Sequence, residues 1–262
     1  MRIFVYCFLA LLLMVTTSSA QTVSVQIIDF RDDVEEELSG ANVGNVFRGS
    51  SDLELGNQNL IEQAVGLRFL EVPVRRGAII NSASIQLTAA ETDVGTLDIP
   101  IFGELAIDAV ELADIAPPSS RQLTTASVDW NVDPWFAGDS GVNTTTPDLT
   151  AIVQEIVDQP NWSSGNAMVF IFQNDPLDTS ERIAVSFDGN PTQSAVLHVD
   201  FTFEASPLLG DVNLDSVVDF FDIAPFIAIL SAQTFQAEAD ISGNEVVDFL
   251  DIAPFIAILS GQ

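Results

Sequence analysis

The chain has 262 residues, with 38 acidic side chains against 8 arginines, no lysine, and a formal net charge of -30. Such a polyanion repels phosphate, which argues against nucleic acid and anionic membrane surfaces as partners and favours cation binding. Apolar residues make up 47% of the chain, enough to fold and too many for an acidic disordered tail.

The first 20 residues, MRIFVYCFLALLLMVTTSSA, have the layout of a secretory signal. Arg2 precedes an apolar run of about 13 residues, and Ser18, Ser19 and Ala20 are small enough for signal peptidase. The run is shorter than the roughly 20 residues of a membrane span. Residues 1–20 are therefore expected to be removed before Gln21, and the protein to be secreted or held at the cell surface without membrane insertion. Cys7 leaves with the signal, so neither disulfides nor thiol chemistry remain. His198 is the one histidine, and any Ser-His-Asp arrangement would have to use it. It sits in an alternating, strand-like stretch, where a structural role is expected. No catalytic residue is assigned, and the protein is expected not to be an enzyme.

Residues 21–203 read as many short strands, at 22–28, 64–72, 79–87, 97–103, 167–172, 183–187 and 195–203, punctuated by Gly, Asn, Asp and Pro. The spacing predicts a mainly β fold, a jelly-roll-like β-sandwich. One helix is predicted near 146–158, with Thr146 as N-cap and Pro147 at the first helical position. Its apolar residues Leu149, Ile152, Val153, Ile156 and Val157 form one stripe, suited to packing across an end of the sandwich. The charge run Asp32, Asp33, Glu35, Glu36 and Glu37 is expected to be a solvated loop rather than a metal site. Trp130, Trp135 and Trp162 are candidates for a sugar-binding surface or for the core, with Trp135 the one expected to be exposed.

Residues 204–210 read as a linker, and the composition then changes. Residues 211–262 hold nine acids and no basic side chain. The segment DIAPFIAILS occurs at 222–231 and again at 251–260, which is an internal duplication with an offset of 29 residues. Each copy follows a loop with oxygen-bearing residues at fixed spacing. In the first loop these are Asp211, Asn213, Asp215, Asp219 and Asp222, with the carbonyl of Val217 at position 7. In the second they are Asp240, Ser242, Asn244, Asp248 and Asp251, with the carbonyl of Val246. Calcium takes six to eight oxygens, and a loop of 12 residues with this spacing wraps them around one ion. Zinc would want His or Cys, which the tail lacks. Two calcium ions are expected, with the first loop the tighter because it has four carboxylates against three. Nine like charges in a small domain also predict that the tail folds only with its metal.

With these residues in view, the tail resembles the type I dockerin, a pair of EF-hand-like loop-helix units. The resemblance implies a small α-helical domain of two calcium loops and a cohesin-like partner protein. It also implies that the residues at loop positions 10 and 11, here Phe220, Phe221, Phe249 and Leu250, meet that partner. From the residues alone, those apolar groups are either an interface or the core of a tiny domain. The chain departs from the pattern at position 6, where Ser216 and Glu245 replace the usual glycine. The β-region, through SSDLELG at 50–56, QAVGLRF at 63–69, RGAIINSASIQL at 76–87, VDW at 128–130 and the stretch 146–170, is similar to the DNRLRE group of secreted bacterial β-sandwich modules. Some members of that wider group bind polysaccharide. The expected whole is a binding module, or a structural and adhesion module, tethered through its tail.

Overall fold

The structure is a computed structural model that describes residues 18–174, 180–204, 208–215, 217–244 and 246–261. Most of the expected signal, part of the expected linker, Ser216 and Glu245 lie outside the described residues. The chain divides into two compact units at residues 203 and 204, matching the change in composition. Among the described residues no helix is long and apolar enough to cross a membrane.

The first unit is mainly β, with antiparallel sheets. In chain order its strands are β1 (Ser18–Gln26), β2 (Asp33–Glu37), β3 (Val46–Phe47), β4 (Asp52–Gln58), β5 (Ile61–Phe69), β6 (Ile79–Gln86), β7 (Asp98–Glu104), β8 (Leu123–Asn131), β9 (Met168–Gln173), β10 (Glu181–Val185) and β11 (Val196–Glu204). One sheet has the order β1-β11-β6. The larger has the order β10-β4-β5-β9-β7-β8, with β2 on β5 and β3 on β2. Inward-facing residues of both sheets join one core, including Ile80, Ile85, Leu197 and Phe201 from the smaller and Leu55, Leu67, Ile101 and Phe172 from the larger. Two sheets around a shared apolar layer are consistent with a β-sandwich. β1 starts at Ser18, so the small residues expected at the cleavage site continue an edge strand.

The helix of this unit, α1 (Thr150–Val157), starts later than the sequence predicts. Thr146 and Pro147 are outside it. The backbone there lies along β6 instead: Thr146 N–H donates to Ile85 O, Ile85 N–H donates to Thr146 Oγ1, and Leu149 N–H donates to Ala83 O. Pairing with a free sheet edge outweighs the local helix-start signal, a tertiary override of a weak propensity. Asp148 takes over the start of the helix by accepting from Thr150 N–H at 3.1 Å. The apolar stripe behaves as expected. Ile152, Val153, Ile156 and Val157 are buried in the shared core, and polar side chains fasten the helix to both sheets. Gln154 accepts from Ile80 N–H of β6, and Glu155 accepts from Thr125 and Ala126 N–H of β8. Gly103 of β7 makes the approach possible, since a Cβ there would lie 2.6 Å from Ile152 Cγ2.

The charge run needs correction. Asp33–Glu37 is strand β2, paired with β5 from Asp33 opposite Leu67 to Glu37 opposite Gln63, and all of its residues are buried. Donors far away in the chain make this tolerable. Arg68 Nη1 binds Asp32 at 2.9 Å, Phe187 N–H donates to Asp33, and Ser119 donates both N–H and O–H to Glu36.

The second unit contains α2 (Ile223–Ala232) and α3 (Ile252–Leu259). Each helix starts directly after the last aspartate of its loop, so Pro225 and Pro254 fall in the first turn, where a missing N–H breaks no helical bond. Phe226 and Phe255, equivalent residues of the two repeats, stack with ring centroids 4.2 Å apart and 13° between planes. Val212, Ala239 and Val247 complete a small core around them.

Candidate functional site

The two tail loops share a set of side-chain-to-backbone hydrogen bonds at equivalent positions, and differ at position 3, where Asn213 bonds Asp215 and Ser242 bonds Asp240. In the first, Asp222 accepts from Asn213 N–H and Asp219 N–H, both at 2.9 Å. In the second, Asp251 accepts from Ser242 N–H and Asp248 N–H, both at 2.8 Å. Position 1 likewise accepts from the N–H of position 5, Asp215 to Asp211 at 3.0 Å and Asn244 to Asp240 at 3.1 Å. Position 5 accepts from position 7, so Val217 donates to Asp215 and Val246 to Asn244. Position 9 accepts from position 11, so Phe221 donates to Asp219 and Leu250 to Asp248. These bonds curl each loop so that its oxygen side chains sit along one short turn of chain.

Asp211, Asp222, Asp240 and Asp251 are buried, the second and fourth completely. Each of these carboxylates sits in a unit without a single basic residue. Burial pulls the pKa of Asp251 upward, but the N–H groups of Asp248 and Ser242 more than offset it and hold the carboxyl below its usual range. The donor set is oxygen only, which suits calcium and not zinc. Among the described residues no three acidic, His or Cys side chains already stand close enough to hold an ion together. Ligation would require these side chains to draw closer together, and each carboxylate, with about four acceptor sites, can do so while still accepting a backbone N–H.

The loops differ at position 4. Both copies hold it in the left-handed region, Leu214 at φ 62° and Gly243 at φ 70°. Glycine occupies that region freely, whereas a residue with a Cβ pays about 1 kcal/mol or more.

The residues at loop positions 10 and 11 project into solvent. Phe220 and Phe221 are each 77% exposed, Phe249 is 83% exposed and Leu250 64%. Of the two alternatives open from sequence, the core reading is excluded for these four, because Phe226 and Phe255 fill the core instead. Beside them runs an apolar groove of about 310 Å³, walled by Ile223, Ile227, Leu230, Ile252, Ile256 and Leu259 with the stacked rings at its floor.

The tryptophans also need correction. Trp130, Trp135 and Trp162 are 4%, 0% and 3% exposed, so they form no aromatic platform. Trp135, expected at the surface, is fully buried because the turn around it pairs with Asp93 and its indole N–H donates to Asn143 O at 2.9 Å. The Trp162 indole N–H donates to Val74 O.

His198 lies 2.8 Å from Ser24 Oγ, on the exposed outer face of the small sheet. The adjacent acid on that face, Asp200, is taken by Thr22 and Ser82 hydroxyls, which hold its pKa down. Among the described residues, neither His198 nor Ser24 lines the clefts of about 520, 500 and 430 Å³ in this unit.

Sequence reasoning missed the arginines. Arg182 is fully buried and donates to the carbonyls of Asp133, Glu181, Gly95 and Val132 and to Asp93 Oδ1. Arg121 forks onto both oxygens of Glu104 at 3.0 Å and onto the carbonyls of Val110, Glu111 and Ala116. The signal was their scarcity in an acidic chain, which makes each a candidate internal clamp.

No protein-family model matches the chain, and no curated protein matches it.

Proposed function

We propose that the tail is a calcium-folded, dockerin-like docking module that joins a secreted, non-catalytic, jelly-roll-like sandwich to a cohesin-like partner. The observation that carries this reading is the repeated network of buried aspartates in a unit with no internal counter-charge. Removing charges from water without a partner is costly, and a divalent ion in each loop would neutralise them. The exposed Phe220, Phe221, Phe249 and Leu250 support the docking half. They stand at equivalent positions of a duplicated unit whose core does not use them, so they offer two similar apolar contacts to a partner.

Burial of the three tryptophans favours a structural or adhesive role for the sandwich over polysaccharide binding through an aromatic surface. In this reading the sandwich is a spacer or assembly element, and recognition belongs to the tail.

Calcium titration of the secreted chain tests the proposal, with far-ultraviolet circular dichroism read alongside calorimetry. The expected result is a gain of helix with calcium that disappears in the double variant Asp222→Ala/Asp251→Ala. An equal helical signal with chelator and with calcium would refute the calcium-folding reading.

A further inference from the structure

The two helices of the tail carry no charged residue, and all nine acids of residues 211–262 lie before or between them. Ile223, which begins α2, and Leu259, which ends α3, line one small cleft of about 220 Å³ together with Phe220 and Ile256. The helices therefore run antiparallel, the start of one beside the end of the other. This arrangement puts an acidic loop at each end of the groove between them. Asp219 and Asp222 flank Phe220 and Phe221 at one end, and Asp248 and Asp251 flank Phe249 and Leu250 at the other.

The groove itself, of about 310 Å³, is lined only by apolar side chains of the two helices. Ile227 and Ile256, equivalent residues of the two repeats, line it and are 55% and 58% exposed. These side chains offer no hydrogen bond. Whatever fills the groove must satisfy its own backbone N–H and C=O groups. An isolated strand or loop cannot do so, whereas a helix does so internally.

Charge then selects among helical occupants. A second copy of this chain, itself at net charge -30, would bring acid against acid at both ends. One calcium ion in each loop would offset four of the nine negative charges of the tail, so the ends would stay acidic with the metal bound. The groove thus has an apolar middle between two anionic ends.

We propose that the groove between α2 and α3 receives a helix of the partner protein that is apolar along one face and carries lysine or arginine at both ends. This rests on the docking reading of the tail and adds to it the element that the partner presents. Burial of the apolar face supplies affinity, and the charged ends set the position of the helix and reject acidic ones.

The experiment uses the full chain with calcium and two synthetic leucine–alanine helices of about 14 residues, long enough at about 1.5 Å per residue to span the groove. One carries lysines at both ends, the other glutamates. Calorimetry should show the lysine-ended helix binding at least about tenfold more tightly than its twin, a preference that shrinks as salt rises. Ile227→Ser/Ile256→Ser should weaken that binding at least about tenfold and leave the calcium-dependent helical signal in place, because neither side chain belongs to the core around Phe226 and Phe255. Dichroism keeps the two readings apart. A tail that gains no helix with calcium refutes calcium folding. The groove proposal is overturned, with or without that gain, by equal binding of both peptides, by binding of neither, or by binding undiminished in the double variant. Dimers of the chain without peptide, or tighter attachment to phosphatidylcholine vesicles than to the lysine-ended helix, would overturn it as well.

Discussion

The two acid-rich regions of this protein solve the same problem by different means. The acid run from Asp32 to Glu37 buries its carboxylates among donors from distant parts of the sandwich: Arg68 on Asp32, the Ser119 N–H and hydroxyl on Glu36, and the N–H groups of Phe187 and Glu54 on Asp33 and Glu35. The tail has no arginine and pins its aspartates with N–H groups of the same loop. Hydrogen bonds from neutral N–H groups orient a carboxylate without neutralising its charge. Only Asp32 in the sandwich's acid run has an arginine partner, so the run is held mainly by neutral donors remote in the chain; in the proposed reading the tail takes its counter-charge from solution. Acidic composition alone does not distinguish these situations; the source of the counter-charge does.

The largest expected effect breaks the comparison on the sandwich side. Arg182→Ala removes a fully buried guanidinium and leaves Asp93 and four carbonyls without their donor. A loss of about 3–5 kcal/mol is expected. Urea unfolding followed by tryptophan fluorescence measures it, and an effect below about 1 kcal/mol would show that the clamp is not structural. On the tail side, Phe255→Ala removes half of the stacked pair at the centre of a small core. It should cost about 3–4 kcal/mol and lower the helical signal at any calcium concentration, without moving the tryptophan transition.

Acid should move the two regions in opposite directions. Burial raises the pKa of Asp33 from 3.8 to about 7, the Phe187 N–H offsetting only part of it. The folded sandwich thus keeps a proton that the unfolded chain loses, and its metal-free stability should rise as pH falls from about 7 towards 4. In the tail, Asp251 is held below its ordinary value by backbone donors despite its burial. Its contribution is present above about pH 4 and is lost as pH falls further. Tryptophan fluorescence and far-ultraviolet dichroism on one sample, recorded across this range without calcium for the first signal and with calcium for the second, would separate the trends. A shared pH profile would contradict the division.

The finest test compares the two loops. Leu214→Gly relieves a left-handed residue in loop one and should stabilise that loop by about 1 kcal/mol, while Gly243→Ala should cost loop two a similar amount. The carboxylate count alone gives loop one the higher calcium affinity. Leu214 works against it, so Leu214→Gly should widen the gap between the sites, as read by calcium titrations of Asp222→Ala and Asp251→Ala chains. If Asp251→Ala loses more affinity than Asp222→Ala even with Gly at 214, charge count does not rank these loops.

Several features of the tail were legible because they are local. The duplication, the spacing of the oxygen-bearing residues and the helix starts after Asp222 and Asp251 all involve neighbours within one loop-helix unit. The fate of Phe220 and Phe249 was not, since an apolar residue beside an apolar helix fits core and surface equally well until Phe226 and Phe255 are seen to fill the centre. In the sandwich, the alternating strands β5, β6, β7, β9, β10 and β11 were readable from their apolar period. β4 and β8, rich in Gly, Asn, Thr and Ser, were not, and β2 was hidden by its charge.

The sequence by itself determined that this is a mainly β chain followed by a duplicated acidic loop-helix unit, and which oxygens each loop can offer. Those features depend on short separations, as in the bond from Asn213 to Asp222 nine residues away. Only the tertiary structure decided that Trp135 is core, that the helix begins at Thr150, and that the acid run is a buried strand. Each rests on partners remote in the chain, such as Phe187 for Asp33, 154 residues away, and Ser119 for Glu36, 83 residues away. The energy of a buried charge is set by what surrounds it, and those surroundings exist only once the sheets have closed.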